Sequence, residues 1–259
     1  MRRSFAALLI FASLAADASA ASSPSDRPYA DGERLTYHFY WGMLMVGKGI
    51  FEIRREKTGI EEFTVTVRSN GLIAAIYPVE DVLRSRFDPA RSRGVSAEQI
   101  RREGPHRVWE QMWFYHDLGR GWMQSLLTGE TKWFEISSQG VVDKLSLIYL
   151  MRRKDWRAAD RYRAHLGSDR GSQTIEVRKI GAGIVTLDEF PPIAAFGVEP
   201  DPAYLRGFVK RGKMQGWLSD DDRKIPLKVI SKLPVGAVTA HLTQAEGVGD
   251  WPTGGGGEK

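Results

Sequence analysis

The chain has 259 residues, of which 42% are hydrophobic and 10% aromatic, and its formal charge is +5 at neutral pH. This composition predicts one large folded domain rather than general disorder. The positive charge fits a negatively charged partner, although solubility alone also explains it. The sequence contains no cysteine, which excludes disulfides, thiol catalysis, thiolate metal sites and a lipoprotein anchor.

The first predicted element is a signal peptide over residues 1–20. Two arginines open it, an apolar stretch (FAALLIFASLAA) follows, and Ala18-Ser19-Ala20 fits a signal-peptidase site. The apolar stretch is shorter than the roughly 20 residues needed to span a bilayer. We therefore expect a mature chain that begins at Ala21 in the periplasm of a Gram-negative bacterium. The general secretory and twin-arginine routes both stay open.

Residues 21–30 are polar and contain two prolines, which predicts a flexible lead-in. Alternating apolar and polar residues then predict strands separated by Gly, Asp and Pro turns. The predicted strands cover residues 35–40, 49–55, 63–68, 82–87, 96–102, 107–115, 121–127, 131–136, 161–166, 172–180, 183–190, 193–197, 208–218, 225–231 and 237–242. Such regular spacing is typical of an antiparallel meander. We expect a mainly β fold, in which a curved meander forms a closed or half-open barrel.

One segment has helical periodicity. Leu145, Ile148 and Met151 recur at helical spacing after Asp143, which is a good N-cap residue, and basic residues follow them. We predict one short helix over residues 143–152 that packs on the sheet or plugs it.

Three further segments complete the predicted architecture. The apolar residues 72–77 are interpreted as a buried strand or as a mobile lip beside a ligand. Gly181-Ala182-Gly183 is interpreted as a hairpin turn, because no helix follows it as a dinucleotide-binding loop requires. Residues 246–259 are Gly-rich and predict a disordered tail, which leaves a single β-rich domain over residues 31–245. The eight tryptophans are interpreted chiefly as packing residues.

Four motifs resemble one bacterial family. They are GERLxY at 32–37, YPVED at 77–81, DxLSLIYLxR at 143–152 and WLSDDxRxIP at 217–226. In order and spacing they resemble the exported proteins described as domain of unknown function 3108 (DUF3108), over roughly residues 31–242. The resemblance implies an exported β-rich protein and implies no activity.

The motif positions supply the candidate binding residues. An architectural role is the favoured interpretation, in which they cap the helix and pin its end to a hairpin. The candidates are Asp81, Asp143, Tyr149, Arg152, Trp217, Asp221 and Arg223.

Motifs for catalysis, metal or cofactor binding are missing from the sequence. Asp220-Asp221-Asp222 lacks the spacing of a calcium loop and is typical of a turn. The five histidines do not have zinc-ligand spacing. Hydrolysis by two carboxyl groups across a cleft could use only the acidic pairs Glu80-Asp81 and Asp188-Glu189. We therefore predict no catalytic residue, no metal and no cofactor.

The expected export decides between the possible partners. Basic clusters beside aromatic residues suggest nucleic acid inside a cell, but outside the cytoplasm we expect no nucleic-acid partner. A solvated basic face is the simpler interpretation, and the alternative is contact with lipid or anionic glycolipid. The preferred hypothesis is a non-enzymatic binding module for an apolar or anionic molecule of the cell envelope, not integral to the membrane after signal cleavage. The alternatives are an envelope hydrolase using Asp and Glu, and a structural protein without a small-molecule ligand. The oligomeric state stays open.

Overall fold

The structure is a computed structural model. It describes residues 27–137, 140–168, 170–201, 213–233 and 236–252. Within them the chain forms fifteen β-strands and two α-helices, so the predicted mainly β class is confirmed. The predicted signal peptide and the last seven residues of the predicted tail lie outside the described residues.

The strands follow one another along the chain with few interruptions. The first eight are β1 (Arg34–Trp41), β2 (Leu44–Arg55), β3 (Glu61–Ser69), β4 (Glu80–Asp88), β5 (Arg93–Glu103), β6 (His106–Tyr115), β7 (Arg120–Ser125) and β8 (Thr131–Glu135). The other seven are β9 (Val141–Val142), β10 (Arg161–Ser168), β11 (Gly171–Leu187), β12 (Phe190–Pro200), β13 (Lys213–Ser219), β14 (Pro226–Leu233) and β15 (Gly236–Glu246). The helices are α1 (Gly71–Ile76) and α2 (Lys144–Arg152), and a 3₁₀ turn covers His116–Leu118.

All fifteen strands belong to one sheet, in the order β8-β7-β6-β5-β4-β3-β2-β1-β15-β14-β13-β12-β11-β10-β9. Every neighbouring pair is antiparallel except β9 and β10, which are parallel. The first and last strands, β1 and β15, therefore pair near the middle of the sheet. The first half of the chain adds strands outward from β1, and the second half adds them outward from β15. The sheet curls until β9 contacts β5 and β8 contacts β11. Its edges do not pair with each other, so the fold is a half-open barrel.

Helix α2 fills the space that the sheet encloses. Asp143 caps it by accepting hydrogen bonds from the amides of Leu145 at 2.8 Å and Ser146 at 3.1 Å. Seven of its nine residues are buried, because apolar side chains from strands on both halves of the sheet pack around it. The predicted helix is confirmed, and its position inside the curve leaves the barrel interior occupied.

The packed domain extends beyond both predicted boundaries. Tyr29 is 4% exposed and packs edge-on against Phe63 and Tyr149, so residues 27–30 are not the flexible lead-in that the sequence predicts. Val248 and Trp251 are buried in a second apolar cluster beside α2's cluster. These burials remove large apolar side chains from water, and the core therefore continues past residue 245.

Two local predictions are wrong. Residues 72–77 are not a buried strand: α1 covers most of them, and Ile76 is 81% exposed. Gly181 is not in a turn but lies within the seventeen residues of β11, next to a bulge in its pairing with β12. A glycine accommodates such a bulge without breaking the strand. The chain turns instead at Asp188 and Glu189, between β11 and β12.

Candidate functional site

The C-terminal end of α2 carries a fully buried arginine. The Arg152 guanidinium donates to both carboxylate oxygens of Glu33, with Nη1–Oε1 at 2.5 Å and Nη2–Oε2 at 2.9 Å. It also donates to the Pro28 carbonyl oxygen at 3.0 Å and lies beside the Tyr149 ring. Burial alone would lower the pKa of Arg152, but the charge and the hydrogen bonds of Glu33, together with the neighbouring Tyr149 and Tyr37, raise it. The two residues therefore form a buried, bidentate ion pair.

The turn between β13 and β14 is fixed to this arginine. Asp221 accepts hydrogen bonds from the Ser219 hydroxyl at 2.7 Å and from Arg223 Nε at 2.9 Å. The Arg223 carbonyl oxygen then accepts a hydrogen bond from Arg152 Nε at 3.1 Å. Four of the predicted site residues, including Tyr149, are thus joined in one network at the end of α2.

Asp143 lies at the other end of the helix, about 14 Å away at the helical rise of about 1.5 Å per residue. Its second carboxylate oxygen accepts a hydrogen bond from the Ser85 hydroxyl at 2.5 Å, and Ser85 also bonds to Ser146. Burial raises the pKa of Asp143, although these hydrogen bonds act against the rise. The carboxyl group is enclosed, so a substrate cannot reach it without opening the core.

Asp81 and Trp217 lie apart from the helix and from each other. Asp81 accepts a hydrogen bond from the Arg102 amide at 2.9 Å and is hydrogen-bonded to Glu103, and burial raises its pKa. Two carboxyl groups in direct contact lack the separation of roughly 5 to 9 Å that glycoside hydrolysis needs. Trp217 pairs across the strands with Gly197. A ligand-binding role for the seven residues stays a prediction, because the structure does not bring all of them into one pocket.

Because the interior is occupied, candidate binding groups lie on the exposed surfaces of the sheet. Five large apolar residues are exposed at one end of the sheet, and we call them the apolar rim: Trp41, Met43, Leu44, Ile76 and Tyr77. Met43 is 99% exposed at the β1–β2 turn, and Ile76 ends α1, which contacts β2. An exposed cluster of this kind is typical of an interaction site.

A row of mostly basic side chains crosses the outer face of the sheet below the rim. Residues that pair directly across strands project from the same face. Strand pairing joins one residue from each of β14, β15, β1, β2, β3 and β4. A residue of β5 then forms an ion pair with the residue on β4. We call these residues the basic row: Lys228, His241, His38, Lys48, Arg68, Glu80 and Arg102.

The charge of the basic row is positive. Glu80 is the acidic member, and it accepts from Arg68 at 3.0 Å and from Arg102 at 3.1 Å. Burial and the neighbouring Lys228 lower the pKa of His241, while Asp188 acts against them. His241 therefore adds its charge only below its ordinary titration range.

The rim and the row are close enough to meet one surface. Lys48 follows Leu44 by four residues on β2, a separation of about 14 Å at about 3.4 Å per residue. Long Lys and Arg side chains shorten this gap, because their flexible stems would let the charged ends extend toward polar headgroups if the rim contacted a membrane. The end of the sheet therefore presents apolar tips with positive charge behind them.

Two classes of site are absent from the residues that the structure describes. No helix there has the length and apolar character to cross a membrane. No three His, Asp or Glu side chains there are grouped so that they could hold a metal ion.

The fold and these surfaces define a β-barrel-like protein whose interior is filled by a helix. The family model described as Protein of unknown function (DUF3108) matches residues 36–243. The chain belongs to this family, and the resemblance predicted from its motifs is confirmed.

One solved structure of a β-barrel-like protein has a similar fold, and two other solved structures match more weakly. A β-barrel-like protein of domain of unknown function DUF1849 from Brucella abortus matches with a TM-score of 0.55 at 9% identity, covering 84% of this chain and 98% of that one. A Bacteroides fragilis protein with a YmcC-like fold matches with a TM-score of 0.35 at 8% identity, covering 85% of this chain and 98% of that one. A hypothetical protein from Chlamydia trachomatis matches with a TM-score of 0.37 at 9% identity, covering 87% of this chain and 92% of that one. No curated protein matches the chain. The likeness to the Brucella abortus protein shows the fold alone.

The sequence prediction did not include the apolar rim or the basic row. One signal for the rim was available, because Met43 and Leu44 follow Gly42 in a predicted turn, where polar residues are usual. The row had no comparable signal. Its members are scattered from His38 to His241, and only the strand register brings them together.

Proposed function

We propose that this protein is a non-enzymatic binding module of the periplasm that docks on anionic lipid through the apolar rim and the basic row. The observation that carries the proposal is that exposed apolar side chains and positive charges occur together at one end of the sheet. Apolar tips insert into the interfacial region of a bilayer, and basic side chains near the headgroups add about 1 kcal/mol each.

The size of the apolar contribution can be tested at Met43. Its side chain is almost completely exposed, so insertion would bury nearly all of it, which is worth about 1.5 to 3 kcal/mol. Met43→Ser should therefore weaken binding to phosphatidylglycerol vesicles about 10- to 150-fold in a sedimentation assay. Leu118→Ser is the matched control, because Leu118 is 67% exposed at the opposite end of the strands.

The electrostatic contribution can be tested at Lys48. Reversing its charge in Lys48→Glu should weaken binding to the same vesicles by about 2 kcal/mol, or roughly 30-fold, and raising the salt concentration should reduce the difference. Lys57→Glu is the control, since Lys57 lies in the β2–β3 turn at the far end of the sheet. Equal binding to uncharged phosphatidylcholine vesicles, or no loss in either rim or row variant, would contradict the proposal.

The periplasmic part of the proposal has its own test. The predicted signal peptide and the absence of cysteine support it. Fractionation of expressing cells should recover the protein from the periplasm, and its N-terminal sequence should begin at Ala21. Recovery of the full-length chain from the cytosol would contradict this part and leave the vesicle experiments valid.

A further inference from the structure

The outer face of β6, β7 and β8 is lined with aromatic rings. Trp113 pairs with Trp122, and Trp122 pairs with Trp133, so the three indoles form a row across the strands. Trp109 and Tyr115 lie on the same face of β6, because side chains alternate along a strand. We call these five residues the aromatic face: Trp109, Trp113, Tyr115, Trp122 and Trp133.

The core does not need these rings. The exposed fractions are 56% for Trp133, 42% for Tyr115 and 40% for Trp109. The inner face of the same strands packs separately through Phe114 and Phe134. The rings contact one another instead, with centroids 5.0 Å apart for Trp113 and Trp122. A contiguous exposed patch of this kind marks a binding surface.

Polar rows flank the aromatic row on both sides. Gln111 pairs with Gln124, which pairs with Thr131, one row along the strands. On the other side Arg120 lies between Tyr115 and Glu135. Successive rows on one face are about 7 Å apart, so the surface alternates apolar and hydrogen-bonding character at that interval. A sugar chain matches this pattern, because each ring has an apolar C–H face and a rim of hydroxyl groups.

The same pattern disfavours a wholly apolar partner. A lipid tail or an apolar helix covering the face would leave the Gln124 amide without a hydrogen-bond partner, which is costly. Gln111 beside it already donates to Glu98 at 3.0 Å. Hydroxyl groups of a saccharide can satisfy both the donor and the acceptor of the Gln124 amide.

Positive charge beside the aromatic face selects among saccharides. An open cavity of about 520 Å³ lies next to Trp133, and Arg120, Lys132 and Arg170 line it together with Glu135. Arg120 is 3.4 Å from Glu135, so Lys132 and Arg170 supply a surplus of positive charge. Guanidinium groups bind carboxylates through paired hydrogen bonds.

We propose that the aromatic face is a binding site for an acidic saccharide. Its sugar rings stack on the exposed indoles, with Trp133 at the centre of contact, and its carboxylate groups face Lys132 and Arg170. This site is separate from the apolar rim and does not depend on the proposed lipid function.

The proposal is tested by affinity electrophoresis of the mature protein in gels that contain polygalacturonate, alginate or neutral dextran. The two acidic polymers should retard the protein and dextran should not. Trp133→Ala should weaken retardation at least ten-fold, and Arg170→Gln about five-fold with a smaller salt dependence. Ile184→Ala is the matched control, since Ile184 is 73% exposed on β11. Trp109→Ala serves as a second variant if Trp133→Ala does not fold.

Three results would overturn the proposal. The first is no retardation by either acidic polymer, and the second is equal retardation by dextran. The third is a concentration-dependent dimer, seen by sedimentation, that Trp133→Ala disrupts. That result would show that a second copy of the chain covers the aromatic face.

Discussion

Replacing Arg152 by methionine should remove a large part of the stability of this domain. The Arg152 side chain is completely buried, and methionine replaces its aliphatic stem, so the change removes chiefly the charged guanidinium and its hydrogen bonds. Glu33 would then be buried without its two charge-assisted hydrogen bonds, and the carbonyl oxygens of Pro28 and Arg223 would each lose a donor. Breaking a buried pair on one side costs about 3 to 5 kcal/mol.

Removing both partners separates the energy of the pair from the cost of leaving one charge alone. The double variant Glu33→Gln with Arg152→Met should recover about 1 to 3 kcal/mol relative to Arg152→Met, since no isolated charge then stays buried. Urea unfolding followed by tryptophan fluorescence measures both changes. With a slope of about 2 kcal/mol per molar, the midpoint of Arg152→Met should fall by about 1.5 to 2.5 M.

The control for this cycle is Arg163→Met. Arg163 also pairs with a glutamate, at 3.2 Å, but its side chain is 77% exposed, and an exposed pair contributes about 0 to 1 kcal/mol. A midpoint for Arg152→Met as close to wild type as that of Arg163→Met would refute the reasoning. It would mean that Glu33 and the two carbonyl groups find other partners.

Three further predictions concern other parts of the molecule. Asp143→Asn keeps a helix cap and removes a carboxyl group whose pKa burial raises, so it should change the free energy of unfolding by less than about 1 kcal/mol, whereas Asp143→Ala should cost about 2 kcal/mol. Because the folded-state pKa of Asp143 is raised, its contribution falls as pH rises above about 4, and urea titrations of Asp143→Asn should lack this fall. Trp251→Ala should cost about 3 kcal/mol by urea unfolding, since its ring is buried against Phe190; no loss would show that the core ends before it. Vesicle binding should strengthen as pH falls below the ordinary titration range of histidine, because His241, whose pKa burial lowers, gains charge there beside Lys228, and His241→Gln should reduce the gain.

The features that depend on residues close together along the chain were predicted well from the sequence. Strand alternation and turn residues indicated the meander, because each strand pairs with the next along the chain, except β8 and β9 at the two edges of the sheet. The helix over residues 143–152 was predicted from its spacing and its cap, and Asp143 makes the two amide hydrogen bonds that a cap requires.

Features that depend on distant residues were missed. Glycines usually end a strand pattern, but Gly181 lies at a bulge where β11 continues beside β12. Trp251 follows a stretch whose composition suggests disorder, yet a cluster built from β1, β11, β12 and β15 buries it. Its burial depends on the tertiary fold, for which local composition carries no signal.

Strand alternation also explains why the proposed sites lie outside the barrel. Inward-facing side chains pack around α2 and fill the space inside the curved sheet. Groups that could bind a ligand are therefore available on the outer face. Outward-facing residues such as Met43 and Trp133 contribute little burial to stability, and exposed apolar groups on strands and their turns favour aggregation. A sheet that needed these residues only for its core would place them inward. Their outward position, beside lysine and arginine in both cases, is what a surface that binds anionic molecules requires.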